Sequence, residues 1–515
     1  MTRAGITLDN ISFGKKPENE SSVIQSPQGS DPHTPFHALV LADFSGNASE
    51  SKTKKPRQID RDNFEEVLAS ISPHLTLSLG DTGSHPISIH IRELEDFEPD
   101  ALFDSLDIFS DLRSLRRRLS NNSTFEAAAK EMGALQDLAA PTPSAKRASP
   151  NQVNDDLSFD SASGDVSLLD SVLAESDTRI EQQKENLAAT LIQDIIAPYI
   201  VPSEHPEKSA LIDSVDQSTE ALMKTILHHK SFQALESTWR SLYLCIREIE
   251  TDAKTKLFIY DIKKQELLDD CQKQTVESSR LFKTGIEPYT SIAGGIPWSV
   301  IVGDYSFSTK QDDIQLLNVM GQIAQHCNAT FIAGSESEVV GCDDIASQQT
   351  VDDWTNETAA SNAGWTALRN TPQSSHIALS FPRVLLRIPY GEKTSPIEAF
   401  QFEENASGEH ESYLWGNAAY RILILLADSY QNSKWNFVAG ENNEIDDLPA
   451  HYYVVDGETE LKPCAEIYLN ERGAERIISN GLLATWSILR KNAVRVGPFS
   501  SLHSSNQRIR GRWQN

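Results

Sequence analysis

The stretch FPRVLLRIPYGEKTSPIEAFQFEENASGEHESYLWGNAAY occupies residues 381–420. It sets Arg383 and Arg387 four residues apart, follows them with Glu403, Glu404, Glu409 and Glu411, and closes on Trp415-Gly416-Asn417. Two readings compete. In one, the arginines bind an anion and the carboxylates serve as acid–base groups. In the other, the charges are buried scaffold. Catalytic carboxylates need a cleft and a partner, and the stretch itself supplies neither. Arg383 and Arg387 share a parity across Val-Leu-Leu, so a strand would place both on one face. The preferred reading is therefore scaffold: an ion-pair ladder carried by Arg383 and Arg387, with Glu403 and Glu404 in the same framework. Trp415 then reads as an aromatic anchor ahead of a helix, with Asn417 a suitable N-cap.

Outward from this stretch, short apolar runs alternate with periodic ones. Lys256-Leu-Phe-Ile-Tyr260, Ser299-Val-Ile-Val302, Ala329-Thr-Phe-Ile-Ala333 and Val384-Leu-Leu386 read as strands. Residues 187–196, 211–227, 314–326 and 418–430 read as helices. That alternation predicts an α/β core. Near the start, His37-Ala-Leu-Val-Leu-Ala-Asp43 reads as a buried strand entering a turn at Phe-Ser-Gly. Asp62 or Asn63 then caps a helix whose first turn holds Glu65 and Glu66, where they suit the helix dipole. Leu75-Thr-Leu-Ser-Leu79 and Ile87-Ser-Ile-His-Ile91 read as paired strands. A polar turn and a helix through Leu112, Leu115 and Leu119 complete a small unit.

The expected organisation is a mixed α/β fold in two units. Residues 1–34 are polar and expected to be disordered, and 35–130 form the small N-terminal unit. Residues 131–164 read as a linker through Pro141-Thr-Pro143 and Ser149-Pro150. Residues 165–200 form a helical segment in which Leu168, Leu169, Val172 and Leu173 make one apolar stripe. Residues 201–500 form the larger unit, and 501–515 a polar tail.

The 515 residues carry a formal net charge of −28, which repels nucleic acid and anionic membrane alike. The basic runs Lys52-Thr-Lys-Lys-Pro-Arg57 and Arg508-Ile-Arg-Gly-Arg512 read as solvated loop and tail charges. Five cysteines, none in a C-x-x-C pair, argue against a disulfide scaffold and a zinc site and fit a reducing cytoplasm. The N-terminus lacks the apolar core of a signal peptide, and no run approaches the ~20 apolar residues of a membrane span. The expected location is the bacterial cytoplasm, without membrane insertion.

Tests for enzymatic constellations fail one by one. Gly294-Gly295 belongs to no phosphate-cradling motif and reads as a turn. His228-His229 lacks the i, i+4 spacing of a helical metal pair. No G-x-S-x-G elbow is present. Cys464, in an expected strand after Pro463, has no nearby histidine to activate it and reads as a structural thiol. The expectation is no catalytic residue, no cofactor and no metal.

The residues do resemble a known family. Phe381 to Gly391, Phe402-Glu-Glu-Asn405 and Tyr413-Leu-Trp-Gly-Asn-Ala-Ala419 resemble the large subunit of the type VI secretion contractile sheath (TssC/VipB-like). Ile226-Leu-His-His-Lys-Ser-Phe-Gln-Ala-Leu-Glu-Ser-Thr-Trp-Arg240, Val302-Gly-Asp-Tyr-Ser-Phe307 and Asp447-Leu-Pro-Ala-His451 extend the resemblance, in order, over about 165–500. Leu41-Ala-Asp-Phe-Ser-Gly46, Ile59-Asp-Arg-Asp-Asn-Phe64 and Asp96-Phe-Glu-Pro-Asp100 resemble the small subunit (TssB/VipA-like). The resemblance implies a non-enzymatic role with a tail-sheath fold. Such chains stack into a tube around an inner-tube protein and are laced by strand exchange, and the tube contracts to expel its contents. It also implies as partners other sheath protomers, an inner-tube protein, baseplate components and a AAA+ recycling ATPase. That ATPase would grip the helix carrying Leu168, Leu169, Val172 and Leu173; packing of this stripe on the small unit is the other reading. Fusion of the two subunits fixes their ratio and raises one half's concentration near the other.

Two departures stand beside the resemblance. The family's large subunit continues past the region matching Gly481-Leu-Leu483, whereas this chain stops at Asn515. The small-subunit half is short after Leu119, its last helix reduced to about 120–138. Both fall on polymer-forming elements. Two roles stay open on sequence: a sheath protomer, or a sheath-like factor that caps or assembles a sheath end or baseplate without polymerising by itself. An enzyme on a borrowed scaffold is a third, with no constellation to support it.

Overall fold

The computed structural model describes residues 33–46, 54–79, 86–121, 123–139, 208–273, 275–348, 350–354, 357–455 and 457–513. The continuous apolar run near the start forms β1 (Phe36–Ala42), and all its residues are buried. Strands covered on both faces read this way, without polar alternation. Its nearest neighbours lie far along the chain: β5 (Thr255–Asp261) on one side and β6 (Val300–Phe307) on the other, both parallel to it. Leu39 pairs with Phe258 and with Ile301.

Among the described residues the sheet has nine strands, in the order β11-β15-β14-β8-β7-β6-β1-β5-β2. Its inner, parallel members also include β7 (Thr330–Ser335), β8 (Ile377–Phe381) and β14 (Leu482–Ser487). Antiparallel strands close the edges: β2 (Arg57–Ile59) beyond β5, and β15 (Val494–Val496) with β11 (Glu444–Ile445) beyond β14. Among the described residues, three two-stranded pairs stand apart from it. They are β3 (His74–Ser78) with β4 (Pro86–His90), β9 (Val384–Leu385) with β10 (Trp415–Gly416), and β12 (Tyr452–Val455) with β13 (Glu458–Leu461).

Alternate residues of β1 feed two cores. Phe36, Ala38, Val40 and Ala42 join Leu68, Leu75, Trp239 and Tyr430 on one face. Leu39 and Leu41 join Tyr260, Trp298 and Ile314 on the other. The first face is covered by the small unit and by the helices Lys208–Leu227, Lys230–Glu248 and Ala419–Ser433. The second is covered by Gln311–Cys327. The fold is mixed α/β, and the early and late segments share one sheet.

Several expectations need correction. The helix Phe125–Ala139 runs into the stretch read as linker from residue 131, and its Met132 is buried in the first core. Residues 501–513 are not a solvated tail throughout. Leu502, Ile509 and Trp513 are buried, Arg510 N–H donates to the Ser375 carbonyl at 2.9 Å, and Trp513 lies 5.2 Å from Phe437. Apolar residues between the arginines anchor the segment, and Arg512 is buried with them, while Arg508 and Arg510 are exposed as expected. Lys54, read as a loop charge, is buried and pairs with Glu266 at 2.5 Å. Asn63 holds the N-cap position of Phe64–Ile71, but its side chain accepts from the Asp60 N–H instead of capping. Cys464 lies outside any strand.

Candidate functional site

The quoted stretch is mostly irregular, and charge holds it in place. Arg387 is the centre. Its guanidinium forks onto Glu404, Nη1 to Oε2 at 2.6 Å and Nη2 to Oε1 at 2.9 Å, and its Nε donates to Glu236 Oε1 at 2.9 Å. Glu236 comes from the Lys230–Glu248 helix and also receives Arg240, one turn on, at 2.7 Å. Glu404 accepts the Tyr390 N–H at 2.8 Å, and the Tyr390 ring lies 4.4 Å under the Arg387 guanidinium. Two arginines and two carboxylates thus balance, with Glu236 and Glu404 buried. A planar, five-donor guanidinium is suited to such bridging. Burial alone would raise the Glu404 carboxyl; Arg387, with His228 and the Tyr390 N–H, instead draws it down to about 2.

Arg383 goes elsewhere. It grips Glu466 through its backbone N–H at 2.8 Å, Nε at 3.0 Å and Nη2 at 2.6 Å. His410 Nε2 lies 3.2 Å from the same carboxylate, and its ring stacks on Trp415 with centroids 5.0 Å apart. Burial opposes the charge on Glu466, yet Arg383 and His410 bring it to about 2. The two arginines form two clusters and not one ladder, because β9 is only two residues long and strand parity does not persist beyond it.

Both carboxyls lie below their ordinary value of 4.5. Their stabilising contribution is therefore complete above pH 4.5 and lost as pH falls toward 2. The stability gap between the wild type and Glu404→Gln is expected to close across that window. Urea midpoints of both proteins at a series of pH values measure it, and a gap that persists to the acid end would contradict the assignment.

Glu403 sits outside both clusters; it is exposed and accepts the Glu392 N–H at 2.9 Å. Trp415 is buried, its Nε1 donating to the His410 carbonyl at 3.0 Å. Asn417 precedes the N-cap residue Ala418. Its Oδ1 accepts the Ala419 N–H at 3.0 Å, and its Nδ2 faces the Gly303 and Tyr305 carbonyls, where the β6–β7 register shifts. Leu168, Leu169, Val172 and Leu173 lie outside the described residues. Sequence reading missed Glu236, Arg240, His228, His410 and Glu466 as members of these clusters. Only Glu236 and Arg240 carried a local signal, an i, i+4 pair on a helix. The two adjacent histidines fall between helices: His229 Nδ1 caps Ser231 N–H, while His228 turns to Glu404 at 3.5 Å.

Beside these clusters a cleft of about 480 Å³ opens at the carboxyl ends of β6, β7 and β8. Its charged lining is Lys230, Asp304, Glu336, Arg383 and Glu411. Asp304 accepts from Thr238 at 2.7 Å and Tyr420 at 3.1 Å, and burial raises its carboxyl. The five cysteines are free and buried, and burial pushes the Cys245, Cys271 and Cys327 thiols up to about 12. Among the described residues no group of three or more His, Cys, Asp or Glu is arranged to hold a metal, and no helix is long and apolar enough to cross a membrane.

Residues 209–503, more than half the chain, match the family described as EvpB/VC_A0108, tail sheath N-terminal domain. The chain belongs to the tail-sheath family. Residues 27–139 match a second family, described as type VI secretion system, VipA, VC_A0107 or Hcp2. One tail-sheath polypeptide thus joins a VipA-type segment to a VipB-type segment. A curated relative, the type VI secretion system sheath protein TssC1 of Pseudomonas aeruginosa, is 32% identical over 316 residues. That alignment covers 59% of this chain and 64% of the relative, so the tail-sheath chain spans less than two thirds of it.

Proposed function

We propose that this protein is a structural, non-enzymatic component of a type VI secretion contractile sheath, working in the cytoplasm. One observation carries the reading. The VipA-matching segment supplies β1, and the VipB-matching segment supplies β5 and β6 on either side of it. Two segments that each resemble a sheath subunit are therefore built as one assembled unit. The buried ion clusters support a scaffold role, since their carboxylates are occupied by arginines and are not presented to a substrate. The partners of this reading are further sheath protomers, an inner-tube protein, baseplate components and a AAA+ ATPase acting on the stripe of Leu168, Leu169, Val172 and Leu173.

The test is negative-stain electron microscopy of the purified chain, alone and with an inner-tube protein from the same genome, over a range of concentration and salt. Tubes or stacked rings are expected. Discrete particles under every condition would overturn the reading and favour a capping factor.

A further inference from the structure

The two ends of the sheet differ in charge. At the amino ends of the strands, Lys256 is the second residue of β5, and Arg510, exposed, and Arg512, buried, cross beside the start of β7, where Thr330 Oγ1 donates to the Arg510 carbonyl at 2.5 Å and Arg512 to the Cys327 carbonyl at 3.3 Å. Two buried histidines register these cations. His37 in β1 is lowered to about 4 by burial and then by Lys256 and Arg512. His376, just before β8, is lowered by burial, with Arg510 adding to it. Glu250 and Asp252, also at this end, sit with Arg61 and Lys434 in a cleft.

The carboxyl ends are acidic. Asp43 follows β1, Asp261 ends β5, Asp304 lies in β6, Glu336 follows β7, and Glu411 faces them across the large cleft. Burial, against the pull of Lys263 and with the push of Asp261 and Glu266, raises Asp43 to about 6. Nearby cations are already engaged: Lys263 with Asp43, Lys264 with Asp313, Lys54 with Glu266 and Arg383 with Glu466. Within the cleft, Lys230 and Arg383, the latter already bound to Glu466, stand against Glu336 and Glu411, whose side chains are exposed.

We propose that copies of this chain associate head to tail, with the Lys256–Arg510 end of one sheet against the Glu336–Glu411 cleft of the next. The occupant is a second copy because the chain itself carries both complementary faces. A molecule of net charge −28 repels its own copies, so a contact that sets a locally cationic face against an acidic one is favoured over one between two acidic faces. The two faces lie at opposite ends of one sheet, so the contact is heterologous and repeats into a ring or filament. The inference rests on the sheath reading and adds which surfaces meet.

The test uses two charge-reversed proteins: Lys256→Glu with Arg510→Glu, and Glu336→Lys with Glu411→Lys. Each is expected to lose about tenfold or more in self-association at low salt. Mixed, they hold two compatible pairs of faces, the native pair and the reversed pair, and are expected to co-assemble in alternation into species longer than one-to-one complexes by sedimentation velocity. Placing all four substitutions in one chain is expected to restore longer assemblies. Neutral Gln versions at the same positions, checked by circular dichroism, are expected to weaken association less, and serve if a reversal fails to fold. Variants that assemble like the wild type, or a mixture that stays monomeric, would overturn the head-to-tail contact. Wild-type tubes indifferent to all these changes would remove this contact and leave the sheath reading; a wild type that never associates would remove both.

Discussion

A chain starting at Lys208, without the first 207 residues, is expected to be insoluble or unfolded, and a separately expressed 27–139 segment is expected to rescue it. The reason is the place of β1. Removing it leaves β5 and β6 facing one another across an empty strand position, with unpaired backbone groups along both. It also removes Phe36, Leu39, Val40 and Leu41 from the two cores. Each such side chain contributes about 1.5–3 kcal/mol when fully buried. Their sum alone is comparable to the ~5–15 kcal/mol that holds a typical protein folded. Polar ties go too: Trp239 Nε1 loses the Phe44 carbonyl at 3.0 Å, and Trp435 Nε1 loses the Thr34 carbonyl at 2.7 Å. Soluble yield, circular dichroism and co-purification of the two pieces are the measurements. Because fusion acts through effective concentration, the rescued pair is expected to dissociate on dilution where the intact chain does not. A stable, cooperatively melting 208–515 fragment on its own would show that β1 is dispensable.

Much of this fold is legible in local sequence. The run His37 to Ala42 has the unbroken apolar character of a strand covered on both faces, and the structure places it there. The helices expected over 314–326 and 418–430 are found at Gln311–Cys327 and Ala419–Ser433. What is hidden is long-range. No residue in β1 announces that its partners begin at Thr255 and Val300, since parallel pairing leaves no turn to mark it. The charged clusters divide in the same way. Glu404 sits 17 residues from Arg387 and was visible as a neighbour, whereas Glu236 is 151 residues away and Glu466 is 83 from Arg383. Parity misled because Pro382 and Pro389 flank a strand too short to impose it. The final segment misled because its three arginines outweighed Ile509 and Trp513, which decide its packing.

Arg387→Ala is expected to destabilise the protein by about 3–5 kcal/mol, the range for removing one member of a buried ion cluster. The loss exceeds that of a surface pair because of what remains. Glu404 and Glu236 are almost fully buried, at 2% and 0% exposure, and cannot turn to water when the guanidinium goes. Arg240 still compensates Glu236, so Glu404 is left most exposed to the desolvation penalty, with the His228 ring at 3.5 Å beside it. Arg387→Lys keeps the charge but not the fork onto Glu404 or the reach to Glu236, and is expected to recover only part of the loss. The informative companion is Arg387→Met combined with Glu404→Gln. Removing both charges relieves the orphaned carboxylate, so the double variant is expected to be more stable than Arg387→Ala, a coupling that additive effects would not give. Chemical denaturation of the four proteins at neutral pH measures it. Equal stability of Arg387→Ala and the wild type would mean that Glu404 finds water or another cation, and that the stretch from Phe381 to Tyr420 is held by packing and not by charge.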